Sequence, residues 1–139
     1  MPMSLEQYLL GRVAEECSEL AKAAMKAQSF GMDSYSPKDR TTGDKVIDAE
    51  YVDVETVYGM LNEVRHRVYH TGSKSDAHLR KRVKVILFLR RALSANTVVL
   101  TPEEQQWADT IANNYTEVYV ELQMEHAFVV AAAALGVGQ

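Results

Sequence analysis

The sequence has little cysteine and no long uncharged apolar stretch, and each of these shortages argues against a class of protein. Its single cysteine, Cys17, cannot form a disulfide within the chain, so we expect a reducing compartment, the cytoplasm, rather than a disulfide-stabilised secreted domain. The longest uncharged apolar run, residues 127–138, is too short to span a bilayer. No basic-then-apolar leader opens the sequence. We therefore expect no membrane association.

An excess of basic charge is also missing. The chain has 15 Lys and Arg against 19 Asp and Glu, a formal net charge of −4, which argues against a general polyanion binder. We therefore expect no nucleic-acid partner, and we interpret the basic stretch 78–92 as a solvated helix face. With 139 residues, 47% of them hydrophobic, the composition is typical of a soluble globular protein with one domain, residues 1–139.

What the sequence does contain is helical periodicity, with prolines only at segment edges. Capping boxes begin two predicted helices, through Ser4 with Gln7 and through Thr101 with Glu104. The predicted helices cover about 5–28, 45–69, 77–94 and 102–135. Between the first two lies a Gly/Ser/Asp-rich loop, 29–44, whose length is typical of working or mobile loops. The segment 70–76 breaks the second helix from the third.

The run "VKVILFL" in the third of these segments could form a strand by β-propensity. Flanking Arg and Lys residues, and the lack of a second strand candidate, favour a helix. The predicted fold class is therefore all-α, a bundle of four to five helices with short connections after the first loop.

Acidic residues interrupt the apolar stripes of the first two helices. On a helical wheel Glu16 falls within the apolar arc of helix one and Glu19 at its edge. Glu50 and Asp53 repeat that arrangement on helix two. Residues three apart share a helix face, so antiparallel packing of the two stripes would bring four carboxylates together.

Four buried carboxylates repel one another unless cations neutralise them. One interpretation is a divalent metal site, and a purely oxygen ligand set favours Mg²⁺ with Mn²⁺ as a substitute. Such a site predicts attack of water on a phosphate ester or anhydride. The alternative is that lysines and arginines pair with these acids at a helix–helix seam.

The spacing of these acids resembles a known enzyme family. "EECSE" (Glu15, Glu16 and Glu19) followed by "EYVD" (Glu50 and Asp53) resembles the E-E-x-x-E … E-x-x-D pattern of the MazG-like nucleoside triphosphate pyrophosphohydrolases. These belong to the all-α NTP pyrophosphatase group that includes the dimeric dUTPases. The short forms carried by tailed bacteriophages look most similar.

Two further matches follow in the family's order. Lys26 and then "SFG" (29–31) resemble the lysine and "RFG" that typically end helix one, and Lys81 with Lys84 resembles a lysine-rich third helix. The resemblance covers residues 5–95. Ser29 stands where the family typically has arginine, and Gly43 where it commonly has asparagine before helix two.

The resemblance implies Mg²⁺-dependent hydrolysis of an NTP or dNTP to the monophosphate and pyrophosphate, in the cytoplasm of a host if the chain is phage-encoded. The implied metal ligands are Glu16, Glu19, Glu50 and Asp53. The implied catalytic carboxylates are Glu15, which would orient or deprotonate the water, and Glu16. The implied substrate-binding residues are Lys26, Lys81, Lys84 and Phe30, although a plain solvated lysine is the favoured interpretation of Lys81.

The predicted helix 102–135 has no counterpart in the resemblance. It is apolar on several sides near its end, which suggests a subunit interface, and similar family members are homodimers or homotetramers. Cys17 is interpreted as a packing residue, and Glu63 with His66 as polar residues opposite the apolar arc of helix two. The rival to an enzyme is a non-catalytic helical module that binds a nucleotide or a protein.

Overall fold

The computed structural model describes residues 1–70 and 72–136, so Thr71 within the predicted break and the last three residues of the predicted domain lie outside the description. The described residues form five helices and four two-residue strands. In chain order they are β1 (Met3–Ser4), α1 (Leu5–Phe30), β2 (Tyr35–Ser36), β3 (Thr41–Thr42), α2 (Gly43–His66), α3 (Asp76–Ser94), β4 (Val98–Val99), α4 (Pro102–Asn114) and α5 (Thr116–Ala134). The prediction of an all-α fold is confirmed.

Helix α1 begins where the sequence predicts. The Ser4 hydroxyl accepts a hydrogen bond from the Gln7 amide at 3.2 Å, and the Gln7 side chain accepts from the Ser4 amide at 2.8 Å. These two bonds satisfy backbone donors that an α-helix leaves unpaired at its start. Leu5 and Leu9 are fully buried, and they anchor the N-terminal half of α1 in the core.

The connection between α1 and α2 contains a short antiparallel hairpin. Its strands β2 and β3 pair antiparallel, and the Asp44 amide donates to the Met32 carbonyl at 2.8 Å. Gly43 begins α2 at a tight backbone crossing, because a Cβ there would lie 3.1 Å from the Gly31 carbonyl oxygen. A residue with a side chain at position 43 would therefore push the two backbones apart.

Helix α2 ends earlier than the sequence predicts. Arg67 adopts a left-handed conformation (φ 54°, ψ 39°) and its amide donates to the Glu63 carbonyl, so the helix ends at His66 rather than Tyr69. The apolar arc of α2 is also wider than predicted, since Thr56, Met60 and Glu63 are buried beside the stripe. The interpretation of Glu63 as a polar residue opposite the buried face was wrong. Helix α2 packs against both α1 and α3, so it buries a second face, and Glu63 is buried as well.

Helix α3 confirms the helical interpretation of "VKVILFL". Val83, Val85, Ile86 and Leu89 are fully buried and occupy the centre of the core. The core also receives side chains from the other helices and from β4, principally Leu5, Leu9, Val57, Met60, Leu61, Val98, Trp107, Ala108, Ile111 and Leu122.

Two features after α3 differ from the prediction. β4 pairs in parallel with β1, with Met3 opposite Val98 and Ser4 opposite Val99. This pairing connects the segment before α1 to the segment that follows α3. The predicted continuous helix 102–135 is two helices, because Tyr115 leaves helical geometry (φ −127°, ψ 45°) between α4 and α5. Both α4 and α5 contact α3.

Helix α5 is the most apolar element and yet buries only Leu122. In the described part of the chain no helix combines the length and the hydropathy needed to cross a bilayer.

Candidate functional site

Three of the acids singled out by the sequence meet between the helices. One carboxylate oxygen from each of Glu16, Glu50 and Asp53 lies within 4.8 Å of the other two. Glu16 is buried, whereas Glu50 and Asp53 are partly exposed, so the group opens toward solvent on its α2 side. We call these three residues the carboxylate cluster.

The antiparallel pairing of α1 and α2 produces this convergence. Gly43 at the start of α2 lies against Ala27 and Gly31 at the end of α1. Glu50 lies seven residues after Gly43 on α2, and Glu16 lies eleven residues before Ala27 on α1. Seven and eleven residues are two and three helical turns, so both acids stay on the shared face.

Two basic residues accompany the cluster. Lys81 Nζ lies 2.6 Å from Glu16 Oε1 and 3.7 Å from Asp53 Oδ2. Arg12 Nη2 reaches the same Glu16 oxygen at 3.4 Å. The Lys81 side chain is only 8% exposed, so its interpretation as a solvated lysine was wrong. Glu16 is therefore compensated by two cations, whereas Glu50 has no salt-bridge partner among the described residues.

The pKa values of Glu50 and Asp53 are both raised above their usual values. Burial, and then the negative charges of Asp53, Glu16 and Glu19, raise the pKa of Glu50 above its usual value. Burial also raises the pKa of Asp53, in opposition to Lys81, which lowers it. A raised carboxyl pKa means that the ionised form is held at an energetic cost. The cluster as it stands is short of positive charge.

The two other acids of "EECSE" point away from the cluster. Glu19 is close enough to raise the pKa of Glu50, but it lies outside the group of three and pairs with Lys22 at 3.2 Å. Glu15 is exposed and pairs with Arg12 at 3.0 Å. Their predicted roles as a ligand and as the residue that activates water remain predictions.

The predicted substrate residues Lys26 and Phe30 lie at the other end of the α1–α2 groove. They line a cavity of about 270 Å³ between the C-terminal end of α1 and the β2–β3 hairpin, together with Ala23, Tyr35 and Val46. Lys26 pairs with Asp39 at 3.6 Å, and the Phe30 ring is 74% exposed. Lys26 is seven residues beyond Glu19, about 10 Å along the helix axis.

Lys84 lies on the α3 side of the cluster. It is exposed, and its charge lowers the pKa of Asp53. Asp53, Lys81 and Lys84 line a second cavity, of about 240 Å³, that lies between α2, α3 and α5. The structure thus brings Lys81 and Lys84 to the cluster and leaves Lys26 ten residues, or nearly three helical turns, beyond Glu16.

Sequence reasoning missed the ion pairs of Arg12 and the pair between Glu63 and Arg82. Arg12 stands three and four residues before Glu15 and Glu16, a spacing that by itself indicates helical ion pairs. Glu63 and Arg82 form a buried bidentate pair, with Arg82 Nη2 2.7 Å from Glu63 Oε1, and no local pattern links them. Cys17 is exposed, so its interpretation as a packing residue was also wrong.

The carboxylate cluster offers oxygen ligands only, which is the donor set that Mg²⁺ and Mn²⁺ prefer. Lys81 and Lys84 lie on the α3 side of this ligand set. No protein-family model, no curated protein and no solved structure matches this chain.

Proposed function

We propose that the protein is a Mg²⁺-dependent nucleoside triphosphate pyrophosphohydrolase, which converts an NTP or dNTP to the monophosphate and pyrophosphate. The observation that carries this proposal is the convergence of Glu16, Glu50 and Asp53 within 4.8 Å. The resemblance of "EECSE … EYVD" to the MazG-like pattern supplies the reaction class.

The residues of the cluster fit a divalent cation. Their ligand atoms are all carboxylate oxygens. Burial raises the pKa values of Glu50 and Asp53, and neighbouring carboxylates raise them further. Glu16, Glu50 and Asp53 would hold the ion, with Glu19 as a further ligand after a change of rotamer. When bound, such an ion polarises phosphate oxygens and lowers the pKa of a coordinated water.

The chain's own residues can position the rest of the nucleotide. Lys84, and Lys81 behind it, place positive charge beside Asp53, where a triphosphate would approach the cluster. The cavity lined by Phe30 and Tyr35 offers aromatic surface for a base at the opposite end of the groove. Lys26 lines the same cavity as Phe30 and Tyr35. Glu15 is assigned to orienting the water.

Pyrophosphate release from a panel of ribo- and deoxyribonucleoside triphosphates, with and without Mg²⁺, tests the proposal. We expect Glu50→Gln to abolish release while the helical circular-dichroism signal is retained. Asp48→Asn, an exposed carboxylate two residues earlier on α2, should remain active. Full activity in Glu50→Gln would remove Glu50 from the ligand set.

The rival function is a non-catalytic helical module that binds a nucleotide or a protein. It is favoured by one observation, since Lys81 and Arg12 already pair with Glu16. A module of this kind predicts no pyrophosphate release from any triphosphate at any divalent ion concentration. The two functions are therefore separated by the same panel of assays.

We also propose that the protein works as a homodimer or homotetramer with α5 at the interface. Six large apolar side chains of the C-terminal region are exposed, namely Val120, Met124, Phe128, Val129, Val130 and Leu135. Exposed apolar surface of this extent is typical of a protein interface. Phe128→Glu should lower the mass measured by sedimentation velocity, whereas Val68→Glu, at an equally apolar exposed position outside α5, should not.

A further inference from the structure

The cavity between α2, α3 and α5 has an unusual distribution of charge. Its volume is about 240 Å³, and its basic side chains all come from one side of α3. Arg80 and Lys84 are four residues apart and so lie on one helix face, with Lys81 beside them. The residues from the facing elements that matter here are Asp53 of α2 and Leu122 and Glu125 of α5.

Arg80 is held by two acids of α5. Its Nη1 atom lies 3.2 Å from Glu121 Oε1, and its Nη2 atom lies 2.6 Å from Glu125 Oε1. All three side chains are at least 40% exposed. Lys84, on the same face of α3, makes no salt bridge with any described residue.

We propose that this cavity is a phosphate subsite in which Arg80 exchanges its two α5 carboxylates for the distal phosphates of a bound triphosphate, so that Glu121 and Glu125 compete with the ligand. The inference rests on the proposed function, because it places those phosphates beside the carboxylate cluster. It adds Arg80 as a binding residue and assigns a role to α5, which lies outside the segment that resembles the MazG-like pattern.

The energetics favour the exchange. Exposed ion pairs contribute little to stability, since solvent screens them and two long side chains must be ordered. A guanidinium binds a phosphate through two parallel, charge-assisted hydrogen bonds, which would replace the single contacts that Arg80 makes to each of two carboxylates. A phosphate that enters the cavity also gains Lys84, which makes no salt bridge with any residue that the structure describes. Releasing Arg80 from α5 therefore breaks only exposed ion pairs, which contribute little to stability.

The geometry gives α5 a restraining role rather than a binding one. Glu125 lines the cavity itself, so its negative charge repels any anion that enters. Removing the charges of Glu121 and Glu125 should both free Arg80 and relieve that repulsion. If these acids instead positioned Arg80 for binding, their removal would weaken phosphate binding.

The test is the affinity for inorganic pyrophosphate in the presence of Mg²⁺, measured by isothermal titration calorimetry on the full chain. We expect Glu121→Gln/Glu125→Gln to bind pyrophosphate about two- to fivefold more tightly than the wild type, the weight of an exposed ion pair. The control Glu103→Gln/Glu117→Gln removes two exposed acids of α4 and α5 that make no salt bridge among the described residues, and it should bind like the wild type.

A mutant cycle with Arg80 completes the test. Arg80→Gln should weaken pyrophosphate binding, and adding Glu121→Gln/Glu125→Gln to it should give a smaller gain than in the wild type. Three outcomes would each overturn the inference. Glu121→Gln/Glu125→Gln and the control Glu103→Gln/Glu117→Gln could bind pyrophosphate with equal affinity, Glu121→Gln/Glu125→Gln could bind it more weakly than the wild type, or the wild type could show no measurable binding.

The outcome is separable from that of the proposed function. If triphosphates are hydrolysed but the cycle shows no coupling, the subsite is wrong and the enzyme assignment stands. If the cycle shows coupling but no triphosphate is hydrolysed, the anion subsite stands and the hydrolase assignment fails.

Discussion

Lys81 Nζ lies 2.6 Å from Glu16 Oε1, and both side chains are more than nine-tenths buried. This pair joins α3 to α1 across the carboxylate cluster, and it places a fixed positive charge where a divalent cation would share the same oxygens. The cluster is therefore only partly compensated in the absence of metal, since a single ammonium contacts Glu16 and Asp53 but not Glu50.

Lys81→Met should show how much of the fold depends on that charge. Removing one partner of a buried ion pair leaves the other charge uncompensated, so we expect the free energy of unfolding without divalent ions to fall by about 3 kcal/mol. Urea denaturation monitored by circular dichroism measures the loss, and millimolar Mg²⁺ should restore part of it.

The matched control is Lys22→Met, because Lys22 pairs with Glu19 at the surface of the same helix bundle. An exposed pair contributes about 0.5 kcal/mol, so this variant should resemble the wild type. Equal losses in the two variants, or no effect of Mg²⁺ on Lys81→Met, would contradict the role given to Lys81.

The stabilising effect of Mg²⁺ should depend on pH. Because the pKa values of Glu50 and Asp53 are raised on folding, protonation of these groups favours the native state. Without metal, their contribution to stability is fully present below the ordinary carboxyl range and is lost as pH rises through the raised values. Metal binding requires the ionised forms, so the increase in melting temperature caused by Mg²⁺ should be largest at neutral pH and should shrink as pH falls through those values.

Differential scanning fluorimetry across that pH range, with and without Mg²⁺, provides the measurement. Glu50→Gln should stabilise the metal-free protein at neutral pH, because it removes a charge that folding disfavours. The same variant should also reduce the response to Mg²⁺. A Mg²⁺ effect that is unchanged in Glu50→Gln would count against Glu50 as a ligand.

Glu63→Gln tests the second buried ion pair. Glu63 accepts hydrogen bonds from Arg82 and, at 2.6 Å, from the His70 amide, so its loss leaves a buried guanidinium without its counter-charge. We expect a decrease of about 3 kcal/mol in the free energy of unfolding. Glu55→Gln is the comparison, since Glu55 pairs with Lys74 and His78 at a more exposed position, and it should cost about 1 kcal/mol or less. Equal costs would show that burial does not set the strength of the Glu63–Arg82 pair.

Gly43→Ala and Gly59→Ala should change stability in opposite directions. A Cβ at position 43 would meet the Gly31 and Met32 carbonyl oxygens at 3.1 and 3.3 Å, so we expect a loss of about 1 kcal/mol. A Cβ at position 59 meets nothing within 4 Å, and alanine is favoured over glycine inside a helix by up to about 1 kcal/mol. Thermal unfolding of both variants measures the difference. A stabilised Gly43→Ala would mean that the end of α1 and the start of α2 can separate without cost.

Local interactions determined the features that the sequence predicted well. The capping boxes at Ser4 and Thr101 involve residues three apart, and helical periodicity acts over a few turns, so the starts of α1 and α4 and the helical state of "VKVILFL" follow from short segments. The placement of Glu16 on the buried face of α1 follows from the same period.

Only the tertiary structure decided which partners those faces meet. Lys81 lies 65 residues from Glu16 in the chain, and Arg82 lies 19 from Glu63, so no local pattern could predict either pair. The break at Tyr115 and the parallel pairing of β1 with β4 likewise depend on packing against α3 and on hydrogen bonds between distant segments. Helical periodicity specifies which side of a helix is buried, because it is a property of one segment. The charge that meets that side depends on how separate segments pack. This packing leaves Glu50 without a salt-bridge partner in the part of the chain that the structure describes, and it brings Arg80 to the acids of α5.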